Sequence, residues 1–158
     1  RIFNGLASPS LGALGGKRIT VSLAANSTEA EHDCISDNTH CSHYYNVLGI
    51  DNVYLGRYQR LNGDILRGPS LSDLVRQANP HIDKKTRQAL SATMASLKVL
   101  SDTAEAKEKP MKFDMLIAEG NQRGEDILSA ILKDLVAQTR AFEAAAAAIN
   151  IDPTATGL

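Results

Sequence analysis

Apolar residues recur along most of this chain at steps of three and four, a spacing that predicts helices rather than strands. The clearest run covers 125–150. There Leu128, Leu132, Leu135, Thr139, Phe142, Ala146 and Ile149 alternate four and three apart, the spacing of a heptad seam. The alanine run Ala144–Ala148 adds helix propensity and permits close packing. A second stripe follows Asn79-Pro80, a cap residue with proline at the first helical position. It consists of Ile82, Thr86, Leu90, Thr93, Leu97 and Leu100, all on one helical face. A third long helix is predicted from about Thr39 to Tyr58, carrying Tyr44, Val47, Leu48, Val53, Tyr54, Leu55 and Tyr58. Gly49 and Gly56 interrupt it, which suggests close approach of a neighbouring helix or a kink.

Shorter elements separate these three. Thr28 with Glu31 has capping-box spacing and opens a short helix ending near Cys34. The run Ser36-Asp37-Asn38-Thr39 reads as the cap of the long helix that follows. Ser70 with Asp73 repeats the capping-box spacing before Leu71–Ala78. Residues 101–110 read as a polar linker, residues 113–117 as a short helix, and Gly120 and Gly124 as a turn that Glu119 or Asn121 could cap. The first 26 residues hold Gly5, Pro9, Gly12, Gly15 and Gly16, which argue against a long regular element. Arg18 to Leu23 alternates only weakly.

An apolar stripe cannot stay exposed, so the helices must face one another. The expected fold is all-α: a helical bundle of three long helices and several short ones. The expected organisation is an irregular segment over 1–26, packed on the bundle or on a missing domain, a bundle over 27–151, and a frayed tail over 152–158. The fourth bundle position would fall to the short helices or to another piece of chain.

The chain has 158 residues, 43% hydrophobic and 22% charged, with a formal net charge of -1. That composition belongs to a single folded domain. No apolar run reaches the length of a membrane span, and there is no basic footprint for nucleic acid. The two cysteines are Cys34 and Cys41. On one continuous helix they would lie about 10 Å apart, too far for a disulfide. A helix break near Ser36 could bring them together; the alternatives are free buried thiols and metal ligation.

Candidate chemistry concentrates in 29–46. Three of the four histidines, His32, His40 and His43, fall there together with Glu29, Glu31, Asp33 and Asp37. Carboxylate and imidazole together suit hard or borderline metals. Glu29 and His32 have the Glu-x-x-His spacing of carboxylate-bridged metal bundles. His40 and His43 can share a helical face. Each also has a structural reading, as a surface histidine or as a core histidine bonded to a carboxylate. Asp37, Asn38 and Thr39 are caps in the plain reading and cleft-lining groups at a helix N-terminus in the functional one. There is no His-Glu-x-x-His, no phosphate loop and no Gly-x-Ser-x-Gly elbow.

The segments Cys34-Ile35-Ser36-Asp37-Asn38-Thr39-His40, Gly49-Ile50-Asp51-Asn52-Val53-Tyr54-Leu55-Gly56-Arg57-Tyr58 and Gly68-Pro69-Ser70-Leu71-Ser72-Asp73-Leu74-Val75 closely resemble the imelysin-like family. The resemblance covers nearly the whole chain. It implies a bacterial envelope protein of the periplasm or outer-membrane periphery, from a family tied to iron uptake and classed with metallopeptidases. The family fold pairs two helical domains around an interface site. The Gly-x-His-x-x-Glu motif of the first domain is absent here, so the resemblance is to the C-terminal half. The expected partner is the N-terminal half, as a separate or cleaved chain, with peripheral membrane association through a lipid anchor.

By the same resemblance, Asp37 and His40 are the expected metal ligands, with iron or zinc as the metal. Ser36, Asp37, Asn38, Thr39, Arg57 and Tyr58 are expected to line the ligand site. Ile35 stands where phenylalanine is usual, and Ser42 where an acidic residue is frequent. The leading expectation is half of an interdomain binding site rather than a complete enzyme. A metallopeptidase completed by the other half, and a structural or protein-interaction domain, are the alternatives.

Overall fold

The computed structural model describes residues 2–27, 29 and 31–151. In chain order the elements are α1 (Ile2–Ala7), a π-helical stretch (Ser8–Thr20), α2 (Val21–Ala25), α3 (Thr39–Leu55), β1 (Arg57–Gln59), β2 (Ile65–Arg67), α4 (Leu71–Ala78), α5 (Pro80–Ala104), α6 (Phe113–Leu116) and α7 (Gln122–Ala148). The protein is thus an all-α bundle with a small hairpin.

The three stripes read from the sequence became α3, α5 and α7. On α5, Thr86, Leu90, Thr93, Leu97 and Leu100 are buried. On α7, Leu128, Leu135, Thr139, Phe142 and Ala146 are buried, joined by Ile131 and Gln138. These faces form two apolar clusters. One gathers Leu14, Ile19, Val47, Leu97, Leu100, Leu128 and Leu135, with Phe113 and Leu116 of α6. The other gathers Phe3, Leu6, Ile50, Tyr54, Leu90, Phe142 and Ala146. Each long helix contributes to both clusters, and the order fixes its direction. The N-terminal run travels from the second cluster to the first, α3 returns, α5 ascends and α7 returns. This is an up-down-up-down bundle.

The fourth bundle position is filled by the chain's own N-terminus. Residues 2–25, expected to be irregular, are helical throughout, and 13 of them form the π-helical stretch. Pro9 has no N–H to give to an α-helical ladder, which loosens the turn at that point. The wider pattern carries on to its end, where the Val21 N–H bonds the Gly16 carbonyl, five residues back. The Thr20 hydroxyl donates to the Gly15 carbonyl at 2.7 Å. Gly15 is buried, and a Cβ there would lie 3.6 Å from Leu132 Cδ2, an ordinary contact distance, so the run lies directly against α7 at this point. Gln138 Nε2 of α7 donates to Ser10 Oγ at 2.9 Å across this contact.

Local signals hold at two helix starts. The Ser70 hydroxyl accepts from the Asp73 N–H at 2.9 Å and donates to its carboxylate at 2.6 Å. Asn79 Oδ1 accepts from the N–H groups of His81 and Ile82. Asn121 supplies the cap of α7, accepting from the Gly124 N–H at 3.1 Å. The expected linker 101–110 is shorter than read, because α5 continues to Ala104.

The third long helix ends earlier than its pattern suggested. Gly56 takes a left-handed conformation (φ 58°), and a Cβ there would meet the carbonyls of Gly68 and Pro69 and Ser70 Cβ, each at 2.8 Å. The chain then turns into an exposed antiparallel hairpin in which Arg57 pairs Arg67, Tyr58 pairs Leu66 and Gln59 pairs Ile65. Gly49 is exposed, and a Cβ there would touch nothing within 4 Å, so it marks neither a close approach nor a crowded kink. Thr28, and with it the proposed capping box to Glu31, lies outside the described residues, as does the tail from 152. Glu31 to Asp37 form turns, not a helix.

Two glycines offer opposite tests of this packing. A Cβ on Gly124 would sit 1.8 Å from the Leu116 carbonyl oxygen. Gly124→Ala should therefore cost about 3 kcal/mol, through overpacking where α6 abuts α7. Gly49→Ala should instead add up to about 1 kcal/mol through helix propensity. Urea unfolding midpoints followed by circular dichroism check both signs.

Candidate functional site

An up-down bundle places its first and third connections at the same end. Here the described residues of 31–38 and of 105–121 meet beside the first apolar cluster, and this brings together polar groups far apart in the chain. Carboxylate oxygens of Glu31 and Asp37 from the first connection and of Asp114 from the second lie within 4.8 Å of one another. They line a small open cleft of about 220 Å³, shared with Glu29 and Cys34. Glu31 is only 6% exposed. Its Oε1, Asp37 Oδ1 and Asp114 Oδ1 are buried without a hydrogen-bond partner among the described residues. Buried oxygens of this kind are costly when nothing satisfies them. Burial raises the Glu31 pKa above the ordinary carboxylate value; the Thr39 hydroxyl opposes this, and Asp37, Asp114 and Asp33 add to it.

Asp37 reaches the cluster from a left-handed backbone (φ 52°), which turns the chain sharply before α3. Asn38 occupies the cap position of α3, but its side chain bonds no helix N–H. Thr39 is buried, and its hydroxyl accepts from the Asp33 N–H at 3.0 Å. Ser36 is exposed, donating to the Asp33 carbonyl at 3.4 Å.

The histidines are set apart from this cleft. His40 is fully buried, and its Nε2 meets Glu105 Oε1 at 2.7 Å, while Lys112 Nζ holds the same oxygen at 2.5 Å. Those two contacts, Lys112 first, hold the Glu105 carboxyl below its ordinary pKa. His40 therefore ties α3 to the connection after α5. His43 is also fully buried, one turn further along. It stacks on His32 with ring centres 6.4 Å apart and meets Phe113 in a T-shaped contact with ring centres 5.2 Å apart. Neither of its ring nitrogens has a partner among the described residues. Burial, and then the charges of Arg18, His32 and His40, push its pKa down to about 3. Both cysteines are free, and Cys34 is exposed rather than buried.

Arg57 and Tyr58 lie at the opposite end of α3, about 24 Å away at 1.5 Å per residue. The residues assigned by resemblance thus divide between two places. Arg57 Nη2 donates to the buried Asp51 Oδ2 at 2.7 Å and borders a larger cleft, while Tyr58 is exposed on β1. Glu31 and Asp114 escaped the sequence reading as site residues. Glu31 carried a signal, standing among the clustered acids of 29–37, whereas Asp114 sits alone in a short helix and is recruited only by the fold.

The sequence profile of the Imelysin family (Peptidase_M75) matches residues 1–150. The chain belongs to the imelysin family. No curated protein matches it. Among the described residues of this family member, no helix is long and apolar enough to cross a membrane.

The buried His43 gives this end of the bundle a pH signature. Its pKa is lower folded than unfolded, so the unfolded chain binds the extra proton between about 3 and 6.5. This contribution favours the fold above pH 6.5 and is lost progressively as pH falls toward 3. His43→Leu should flatten the acid loss of stability over that window, and at pH 7 should be neutral or stabilising. Unfolding free energies measured from pH 7 to 4 on both proteins decide this.

Proposed function

We propose that this imelysin-family chain handles iron in the bacterial cell envelope, holding a hard cation at Glu31, Asp37 and Asp114. The observation that carries the reading is the convergence of three carboxylates with oxygens within 4.8 Å of one another, each of which also has a buried oxygen without a hydrogen-bond partner among the described residues. An all-oxygen anionic set suits hard cations. Zinc in peptidases is held largely by imidazole, and His40 is engaged with Glu105 instead. The donor set therefore favours iron in its ferric state over zinc, and uptake over peptide hydrolysis.

Three carboxylates leave positions open to water, to a small ligand or to a second protein surface. The cleft opens outward, which suits completion by the other helical domain of the family, as a separate or cleaved chain. On this reading the protein sits in the periplasm or at the outer-membrane periphery. His40 acts as a positioning residue: through Glu105 it fixes the start of α3, and thereby Asp37.

Thermal melts with Fe(III), Mn(II), Ca(II) and Zn(II), each against a chelator control, test the site. Fe(III) and Mn(II) should raise the melting temperature of the wild type and leave Asp114→Asn and Glu31→Gln unmoved. Without metal at pH 7, Glu31→Gln should melt higher than wild type. The raised Glu31 pKa means that stability falls as pH rises above the ordinary value of 4.5, so charged Glu31 is a liability until a cation arrives. Zinc alone stabilising the protein, or Asp114→Asn retaining the full iron response, contradicts the proposal.

A further inference from the structure

The larger cleft lies between α3, α4 and α5, with a volume of about 750 Å³. We propose that it is a second binding site, for a small organic polycarboxylate; this does not rest on the cation site at the other end of α3.

Its cations come from separate elements. Arg57 opens β1, Arg76 belongs to α4, and Lys84 and Arg87 lie on α5. The fold gathers them in a chain whose net charge is -1. Two carboxylates, Asp51 and Asp83, also border the cleft, and Asp73 pairs with Arg76 from beside it, leaving an excess of one positive charge among these seven groups. Asp51 and Asp83 are 5% and 3% exposed, so the accessible charge of the lining is cationic. They are also already occupied. Asp51 accepts from Arg57 Nη2 at 2.7 Å. Asp83 Oδ1 accepts from the Tyr54 hydroxyl at 3.0 Å and the Ser72 hydroxyl at 2.6 Å, and Oδ2 lies 4.0 Å from Arg87 Nη1.

Buried Asp51 sets the Arg57 guanidinium in place, while Asp83 draws Arg87 toward the cleft by charge alone, at 4.0 Å. A guanidinium has five N–H donors, so one held by a buried carboxylate keeps others for a ligand. Arg57 is 42% exposed and Arg87 55%, and both can present those donors to the cleft. Lys84 has no ion pair among the described residues. Charges fixed beforehand cost less to order on binding.

The apolar part of the lining selects the class of anion. Leu48, Leu55 and Met94 border the same cleft, and they suit a carbon skeleton. The volume falls within the range of small-molecule sites and far exceeds what inorganic phosphate needs. Arginine forks match planar carboxylates in pairs. A compact molecule with two or three carboxylates satisfies both the rim and the apolar lining.

Isothermal titration of the full chain with citrate, and separately with inorganic phosphate, tests the assignment at low and at physiological ionic strength. Citrate should bind with a Kd below about 1 mM, and phosphate at least about tenfold more weakly. Arg87→Gln and Lys84→Gln should each weaken citrate at least about fivefold. Lys98→Gln should leave it unchanged, because that exposed lysine pairs with Asp102 further along α5. All variants change exposed side chains, and their circular dichroism should match the wild type. Absence of citrate binding, phosphate binding as tightly as citrate, or equal loss in Lys98→Gln overturns the proposal.

Discussion

The antiparallel seam between α5 and α7 is the contact on which the rest of the molecule is built. Leu97 and Leu100 near the end of α5 share a cluster with Leu128 and Leu135 near the start of α7. Leu90 shares the other with Phe142 and Ala146. Polar links fix the register between them. Ser96 Oγ donates to Asp134 Oδ2 at 2.5 Å, and the Thr86 hydroxyl donates to the Ala141 carbonyl at 3.3 Å. Burial supplies the driving force and these bonds forbid sliding. The N-terminal run then packs on α7, and α3 on α5.

Placing these helices fixes where polar connections can meet. The first and third connections share one end, where three carboxylates line a cleft and two buried histidines lie outside it. Unpartnered carboxylate oxygens and the two unpartnered ring nitrogens of His43 both weaken the fold. The unpartnered carboxylates gathered in one cleft are the groups that the proposed cation would satisfy. Asp83 is a counter-example within the same protein. It is as buried as Glu31, yet it is satisfied by Tyr54 and Ser72 and so joins three helices without strain.

Helical periodicity was readable along α5 and α7 because their buried faces repeat at short range. The Ser70–Asp73 and Asn79-Pro80 signals were equally local, and both caps form. The N-terminal run was not legible. Its glycines oppose a regular helix locally, and only packing of its apolar residues against the bundle holds it helical. The hairpin at Arg57–Gln59 was hidden because Tyr54, Leu55 and Tyr58 keep helical spacing across Gly56. What ends the helix is the approach of Gly68, Pro69 and Ser70 to Gly56, a contact between separated segments.

The candidate site divides in the same way. The chain itself determined an all-α fold, a helix beginning after Asp37 and a concentration of acids and histidines before it, because caps, periodicity and residue chemistry act between near neighbours. Tertiary structure alone decided that Asp114 would join Glu31 and Asp37, that His40 would turn to Glu105, and that Arg57 would stand about 24 Å away beside Arg87 and Lys84. Those outcomes depend on which helix ends coincide in space, and helix ends are brought together by the packing of whole faces, to which no single segment holds the key.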